Sequence, residues 1–203
     1  MTITITHAPF ARSVRVIWLC EELGLPYELQ IVENNRKFLL SEDYLKIHPF
    51  GKIPAFTDGD VHMFESLAIM QYLLDKHENS LAPKMGEETY PAFLQWFHFG
   101  ESTLALPITM ALGHSRILPE KLRIPAMVTW GEQELQKFFK GLAAPLAQHD
   151  YLLPTGFSAA DISVAYMFVL AKFAKIFKDA PAPVEAYWER IKAREGWQKA
   201  TAL

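Results

Sequence analysis

Two short stretches hold residue types whose spacing suits ligand recognition. Ile53-Pro54 lies just ahead of an apolar run that reads as a strand, where a proline needs a turn or a cis peptide bond. A cis bond there would free a backbone amide and carbonyl to pair with an extended ligand, in the manner of an added strand. A trans proline in an ordinary loop is the other reading. Glu65-Ser66 opens a predicted helix directly after a second strand, so its first amides and the positive end of the helix dipole suit a carboxylate. Both are also common first-turn residues with no ligand at all.

Other reactive residue types point inward. Ser158 and Asp161 stand three apart ahead of an apolar stretch, in the form of a capping box with Asp in the place of Glu. Losing such a cap costs about 1 kcal/mol, and the expected role of this pair is structural. The single cysteine, Cys20, falls on an apolar helical stripe between Ile17 and Leu23, with no second thiol to form a redox pair. It reads as a core residue. The seven histidines are scattered, none at metal-ligand spacing alongside carboxylates, so no metal site is expected.

The elements that must position these residues can be read from periodicity. Thr2 to Thr6 alternates with Ile3 and Ile5 on one face, predicting a strand. From Ala11 to Leu23 apolar residues recur at helical spacing until Gly24, a helix C-terminus. Tyr27 to Val32 alternates again, completing a βαβ unit. A short helix follows Ser41, and Pro49 with Gly51 ends it. Ala55 to Thr57 and Val61 to Phe64 flank Asp58-Gly59-Asp60, a hairpin signal, and a helix runs on from Glu65. After Pro83 alternation gives way to amphipathic stretches: Phe93 to Leu112, Met127 to Leu142, Ser158 to Phe173 and Val184 to Arg194. The expected domains are 1–80, mixed α/β, and 87–203, all helical.

Bulk composition narrows the function classes. Of 203 residues half are hydrophobic and 21% charged, which is ordinary globular composition and excludes a largely disordered chain. A net charge of -3 without a lysine or arginine run gives no field for a phosphate backbone, so nucleic acid is not an expected partner. No run of about 18 apolar residues exists to span a bilayer, and the first residues lack a basic segment followed by an apolar one. No membrane association is expected, and a cytoplasmic location follows.

Four stretches, in order and spanning nearly the whole chain, resemble the cytosolic glutathione transferases of bacteria and fungi. They are ARSVRVIWLCEELGLPYEL from Ala11 to Leu29, HPFGKIPAF from His48 to Phe56, FESLAIMQYL from Phe64 to Leu73, and the Ser158 to Asp161 cap. The resemblance implies an α/β thioredoxin-like N-terminal domain and an all-α C-terminal domain. It further implies that Ile53, ahead of Pro54, pairs its backbone with the cysteinyl part of glutathione. Glu65 and Ser66 would hold the γ-glutamyl end, and Lys52 would reach a carboxylate of the tripeptide. The family usually has Asn where this chain has His48, which leaves the role of that position open. Glutathione would be the co-substrate, with no permanently bound cofactor, and the chain would form a homodimer.

The implied chemistry is conjugation of the glutathione thiolate to small hydrophobic electrophiles. A free thiol with a pKa of about 8.5 is only a few per cent ionised at neutral pH, so the site must stabilise the thiolate. The family does this from the loop after the first strand, yet the positions that most often carry the donor hold Phe10 and Ala11 here. Ser13 is the candidate catalytic hydroxyl; Thr6, His7, or backbone amides with Arg12 are the alternatives. The missing donor also prompts a second reading, a non-catalytic protein of this fold that binds or scaffolds a ligand. A reductase using a mixed disulfide is disfavoured, since no cysteine stands in the loop.

Overall fold

The computed structural model describes Thr2 to Ala202, which divide into two compact units: residues up to Asn79 together with those from Arg194 onward, and Ser80–Ala193. The first unit holds β1 (Ile3–His7), α1 (Ser13–Leu23), β2 (Tyr27–Ile31), α2 (Arg36–Leu39), α3 (Glu42–Ile47), β3 (Ala55–Asp58), β4 (Val61–Phe64) and α4 (Ser66–Lys76). Its four strands lie in the order β2-β1-β3-β4, with β1 parallel to β2 and antiparallel to β3, and β3 antiparallel to β4. A βαβ connection through α1 joins the parallel pair β1 and β2, and a tight hairpin joins β3 and β4. Ile3 and Ile5 are buried, and α1 supplies Val16, Ile17, Leu19 and Cys20 to the same core.

Local signals explain most boundaries. Gly24, in the left-handed region at φ 65°, ends α1 by donating to the carbonyls of Cys20 and Glu21. The Ser41 hydroxyl accepts from the Tyr44 amide at 3.3 Å and starts α3. The short α2 was not predicted: Asn35 caps it, accepting from the Phe38 amide at 2.9 Å, but four residues leave no periodicity to read.

A last helix, α10 (Glu195–Thr201), belongs to the first unit, whereas the sequence placed the whole of 87–203 in one helical domain. Trp197 is buried edge-on against Trp18 of α1, with ring centroids 5.0 Å apart. Arg194 grips the Glu22 carboxylate through two nitrogens, at 2.9 and 2.6 Å, and the Trp18 indole N–H donates to it at 2.9 Å. Partners 172 residues apart leave no local trace in the chain.

The second unit comprises α5 (Tyr90–Ser102), α6 (Ala105–Leu112), α7 (Pro125–Leu146), α8 (Ala159–Phe173) and α9 (Ala182–Ala193). The apolar stretch from Phe93 to Leu112 reads as one helix but forms two. Pro107 has no N–H to donate to the carbonyl four residues back, and the chain breaks at Thr103 and Leu104. Helix α8 is buried over almost its whole length, as a helix apolar on all sides must be. Helix α5 approaches it so closely that a Cβ at Gly100 would lie 2.4 Å from the Ser163 hydroxyl. At the start of α8 the Asp161 carboxylate accepts three hydrogen bonds: from the Ser158 amide at 2.8 Å, the Ser158 hydroxyl at 3.0 Å and the Leu152 amide at 3.0 Å. The pair thus ties the preceding loop to the helix as well as capping it. Asp161→Ala leaves two buried amides without acceptors and is expected to lower the unfolding free energy by about 3 kcal/mol, more than an ordinary cap, measured by urea denaturation.

Candidate ligand site at one end of the sheet

Strand register gathers the candidate residues of the first unit. Ala55 on β3 faces Phe64 on β4, so Pro54, one residue before, and Glu65, one residue after, meet at the same end of the hairpin. Ile5 on β1 faces Phe56, and counting on by two sets His7 beside Pro54. The start of α1, the Ile53-Pro54 turn and the start of α4 therefore share one end of the sheet. The Arg15 guanidinium, fully buried on α1, approaches the Ser66 hydroxyl at 3.4 Å and links the two helix starts.

Exposure sorts these residues into ligand-facing and supporting groups. Lys52 and Glu65 are exposed and Ile53 is half-buried, while Pro54 and Ser66 are buried. The Ile53-Pro54 peptide bond is cis. Glu65 holds the uncommon backbone pair φ 73°, ψ 106° at the start of α4, an outlier for a residue with a side chain and of the kind that clusters at ligand sites. The first amides of α4 have no partners within their own helix and are left as donors on this face, whereas at the start of α1 the Val14 and Arg15 amides donate to the Ala11 and Arg12 carbonyls at 3.1 and 3.2 Å.

The turn that carries Ile53 is fastened by Tyr44, which the sequence does not single out, and by His48 and Gly51, whose contacts it leaves open. The Tyr44 hydroxyl, from α3, donates to the Lys52 carbonyl at 2.6 Å, and burial pushes its pKa up to about 12, keeping it a neutral donor. The Phe50 amide donates to His48 Nδ1 at 3.3 Å, and the Gly51 amide to the His48 carbonyl at 2.9 Å. Gly51 has φ 58°, and a Cβ there would come within 2.4 Å of the Leu39 carbonyl oxygen. Glycine is thus required twice over, by conformation and by space. The Pro49-Phe50-Gly51 run in the sequence signalled a turn, but not the carbonyl pressed against it.

In the loop from β1 to α1, Ser13 is fully buried and its hydroxyl lies 2.9 Å from His7 Nδ1. Burial lowers the His7 pKa, so the ring is neutral at physiological pH. Its Nε2 is buried without a hydrogen-bond partner. An orphaned acceptor is less costly than an orphaned N–H, which favours the tautomer in which Nδ1–H donates to the Ser13 oxygen. Phe10, at φ 62°, is 60% exposed beside this turn. Cys20 is buried on α1, and burial followed by the charge of Glu21 pushes its pKa up to about 12, so it is inert as a nucleophile.

A sequence profile described as the N-terminal domain of glutathione S-transferase matches residues 5–84. A probable glutathione S-transferase of rice, Oryza sativa subsp. japonica, is 31% identical over 198 residues, covering 93% of this chain and 90% of the rice protein. The chain belongs to the glutathione S-transferase family. Among solved structures, poplar glutathione transferase F1 is 25% identical with a TM-score of 0.87, the match covering 100% of this chain and 97% of the other. A theta class glutathione S-transferase from Xanthomonas axonopodis pv. citri, solved with glutathione bound, is 25% identical with a TM-score of 0.84, covering 100% of this chain and 98% of that one.

Within this family frame, Lys52, Ile53, Glu65 and Ser66 stand at one end of the sheet, and Ser13 stands at the start of α1 with its hydroxyl turned to His7. Among the described residues no group of three or more His, Cys, Asp or Glu side chains is arranged to hold a metal ion, and no helix is long and apolar enough to cross a membrane. Gly51→Ala forces a side chain into both a left-handed conformation and the Leu39 carbonyl. It is expected to cost about 2 kcal/mol of stability or more, read as a lowered midpoint in thermal denaturation.

Proposed function

We propose that this chain is a glutathione transferase: it binds glutathione along the end of the sheet and joins its sulfur to small hydrophobic electrophiles. The observation that carries this reading is the placement of three donor-bearing segments around one sheet end by the β1–β3–β4 register. The backbone of Ile53 pairs with the cysteinyl unit, Glu65 takes the γ-glutamyl ammonium, and Ser66 with the first amides of α4 takes its carboxylate. Lys52 is exposed and reaches the glycyl carboxylate.

The reaction needs the thiol proton to leave to solvent and the thiolate to attack carbon, with the leaving group departing from that carbon as the C–S bond forms. Two groups are candidates to stabilise the thiolate: the Ser13 hydroxyl, and the positive end of α1 with the half-buried Arg12 beside it. Complete burial of Ser13 and its bond to His7 favour the helix end, with Ser13 holding the first turn in place. The exposed Phe10 gives the electrophile an apolar neighbour near the sulfur. A cytoplasmic location and a homodimer belong to the same reading, supported by membership of the family; light scattering on purified protein measures the second.

Purified protein is expected to turn over a chlorinated nitroaromatic with glutathione, followed by absorbance. Glu65→Ala is expected to raise KM for glutathione about tenfold with little change in kcat, as loss of a charge-assisted contact does. Ser13→Ala is expected to lower kcat less than about tenfold, whereas a donor touching the sulfur directly would cost about 100-fold or more. No turnover across several electrophiles, with apolar ligands still bound, overturns the enzymatic reading in favour of a ligand carrier.

A further inference from the structure

The sequence left one position of the site unexplained: His48. The residue is buried, with 3% relative exposure, although it sits in a turn. It stacks on Tyr44 at 6.5 Å between centroids and meets Phe64 at 5.0 Å and Phe50 at 6.3 Å. Phe64 directly precedes Glu65, and Tyr44 holds the Lys52 carbonyl, so the ring touches both walls of the ligand site.

The hydrogen bond fixes what the ring is doing. Nδ1 accepts the Phe50 N–H two residues on, the pattern by which an Asn or Asp side chain builds a turn on its own backbone. An acceptor Nδ1 requires the neutral ring with its proton on Nε2. An Asn carbonyl would serve equally and never titrate. His48 does the work of an Asn with a group that changes charge near neutrality.

We propose that His48 is a positioning residue whose neutral imidazole holds the Phe50–Ile53 turn in its ligand-pairing form, so that glutathione binding weakens in acid. This inference rests on the glutathione reading above. Protonation puts a hydrogen on Nδ1, facing the Phe50 N–H, and the turn loses its fastening on that side. The charged groups around the ring oppose one another: the Glu65 carboxylate, from the start of α4, favours the charged form, and Lys52, in the turn itself, disfavours it. Tyr44, from α3, is a neutral phenol with its pKa raised by burial. Burial outweighs the Glu65 charge and a bond to the residue's own backbone, both of which raise the His48 pKa, and lowers it below its ordinary value. The sign follows: the ordered turn prefers the neutral ring, its stability is intact above the ordinary histidine pKa of about 6.5, and it is lost progressively as pH falls below that value.

The test is calorimetric titration of the full chain with S-methylglutathione, which lacks an ionisable thiol, between about pH 7.5 and about pH 5.5. The wild-type Kd is expected to weaken about fivefold or more across this range, the worth of one hydrogen bond. His48→Asn keeps the acceptor and removes the titration, so it is expected to match the wild type within about twofold at the upper pH and to hold that affinity in acid. His48→Ala is expected to bind weakly at every pH. A flat wild-type profile overturns the proposal, as does a His48→Asn profile that falls like the wild type, which would assign the titration to another group such as His7. Absence of wild-type binding at the upper pH overturns the glutathione reading itself, and is distinguishable from either.

Discussion

The antiparallel register of β3 against β4 governs the site. Because Ala55 is opposite Phe64, the residues just outside the hairpin on each side, Pro54 and Glu65, are forced to the same end of the sheet. A one-residue slip would move every side chain of a strand to the opposite face, so register here is fixed by the burial of Phe56 between the sheet and its helices. The parallel pairing of β1 with β2 then brings the first helix back over the sheet with its N-terminus at that end. Helix dipole, hairpin exit and turn are separate devices, and the sheet makes them neighbours.

Around that frame the supporting contacts are tight where the ligand-facing groups are open. Lys52 and Glu65 are exposed, yet the backbone beneath them is tied down by Tyr44, His48 and Gly51. Arg15 and Ser66 join the starts of the two helices from below, and His7 with Ser13 braces the first turn of α1. A site that must present backbone groups to a peptide-like ligand cannot rely on side-chain rotamers for its precision. It relies on buried side chains that hold the backbone still.

Much of this was legible from particular residues. Alternation at Ile3 and Ile5, helical spacing up to Gly24 and the Asp58-Gly59-Asp60 turn gave the order of elements in the first unit, since each rests on local periodicity or turn chemistry. Pro54 and Glu65 drew attention because their types are awkward or purposeful at strand ends. Tyr44 did not, because an aromatic residue on a short amphipathic helix looks like any core residue until its hydroxyl is seen on a carbonyl eight residues away. The break between α5 and α6 was missed because continuous apolar character masked Pro107.

By itself the sequence determined the βαβ and ββα order, the change to helices after Pro83, the inert position of Cys20 on a buried stripe, and the family that the chain resembles. These depend on neighbours within a few residues, where propensity, capping and period act directly. Tertiary structure alone decided that α10 returns to α1 through Arg194 and Glu22, that His48 fastens the turn before Pro54, and that the Ser13 hydroxyl turns to His7. The sequence could not fix them because burial and the angle of a hydrogen bond depend on where the whole chain has gone, and a residue type carries no record of that.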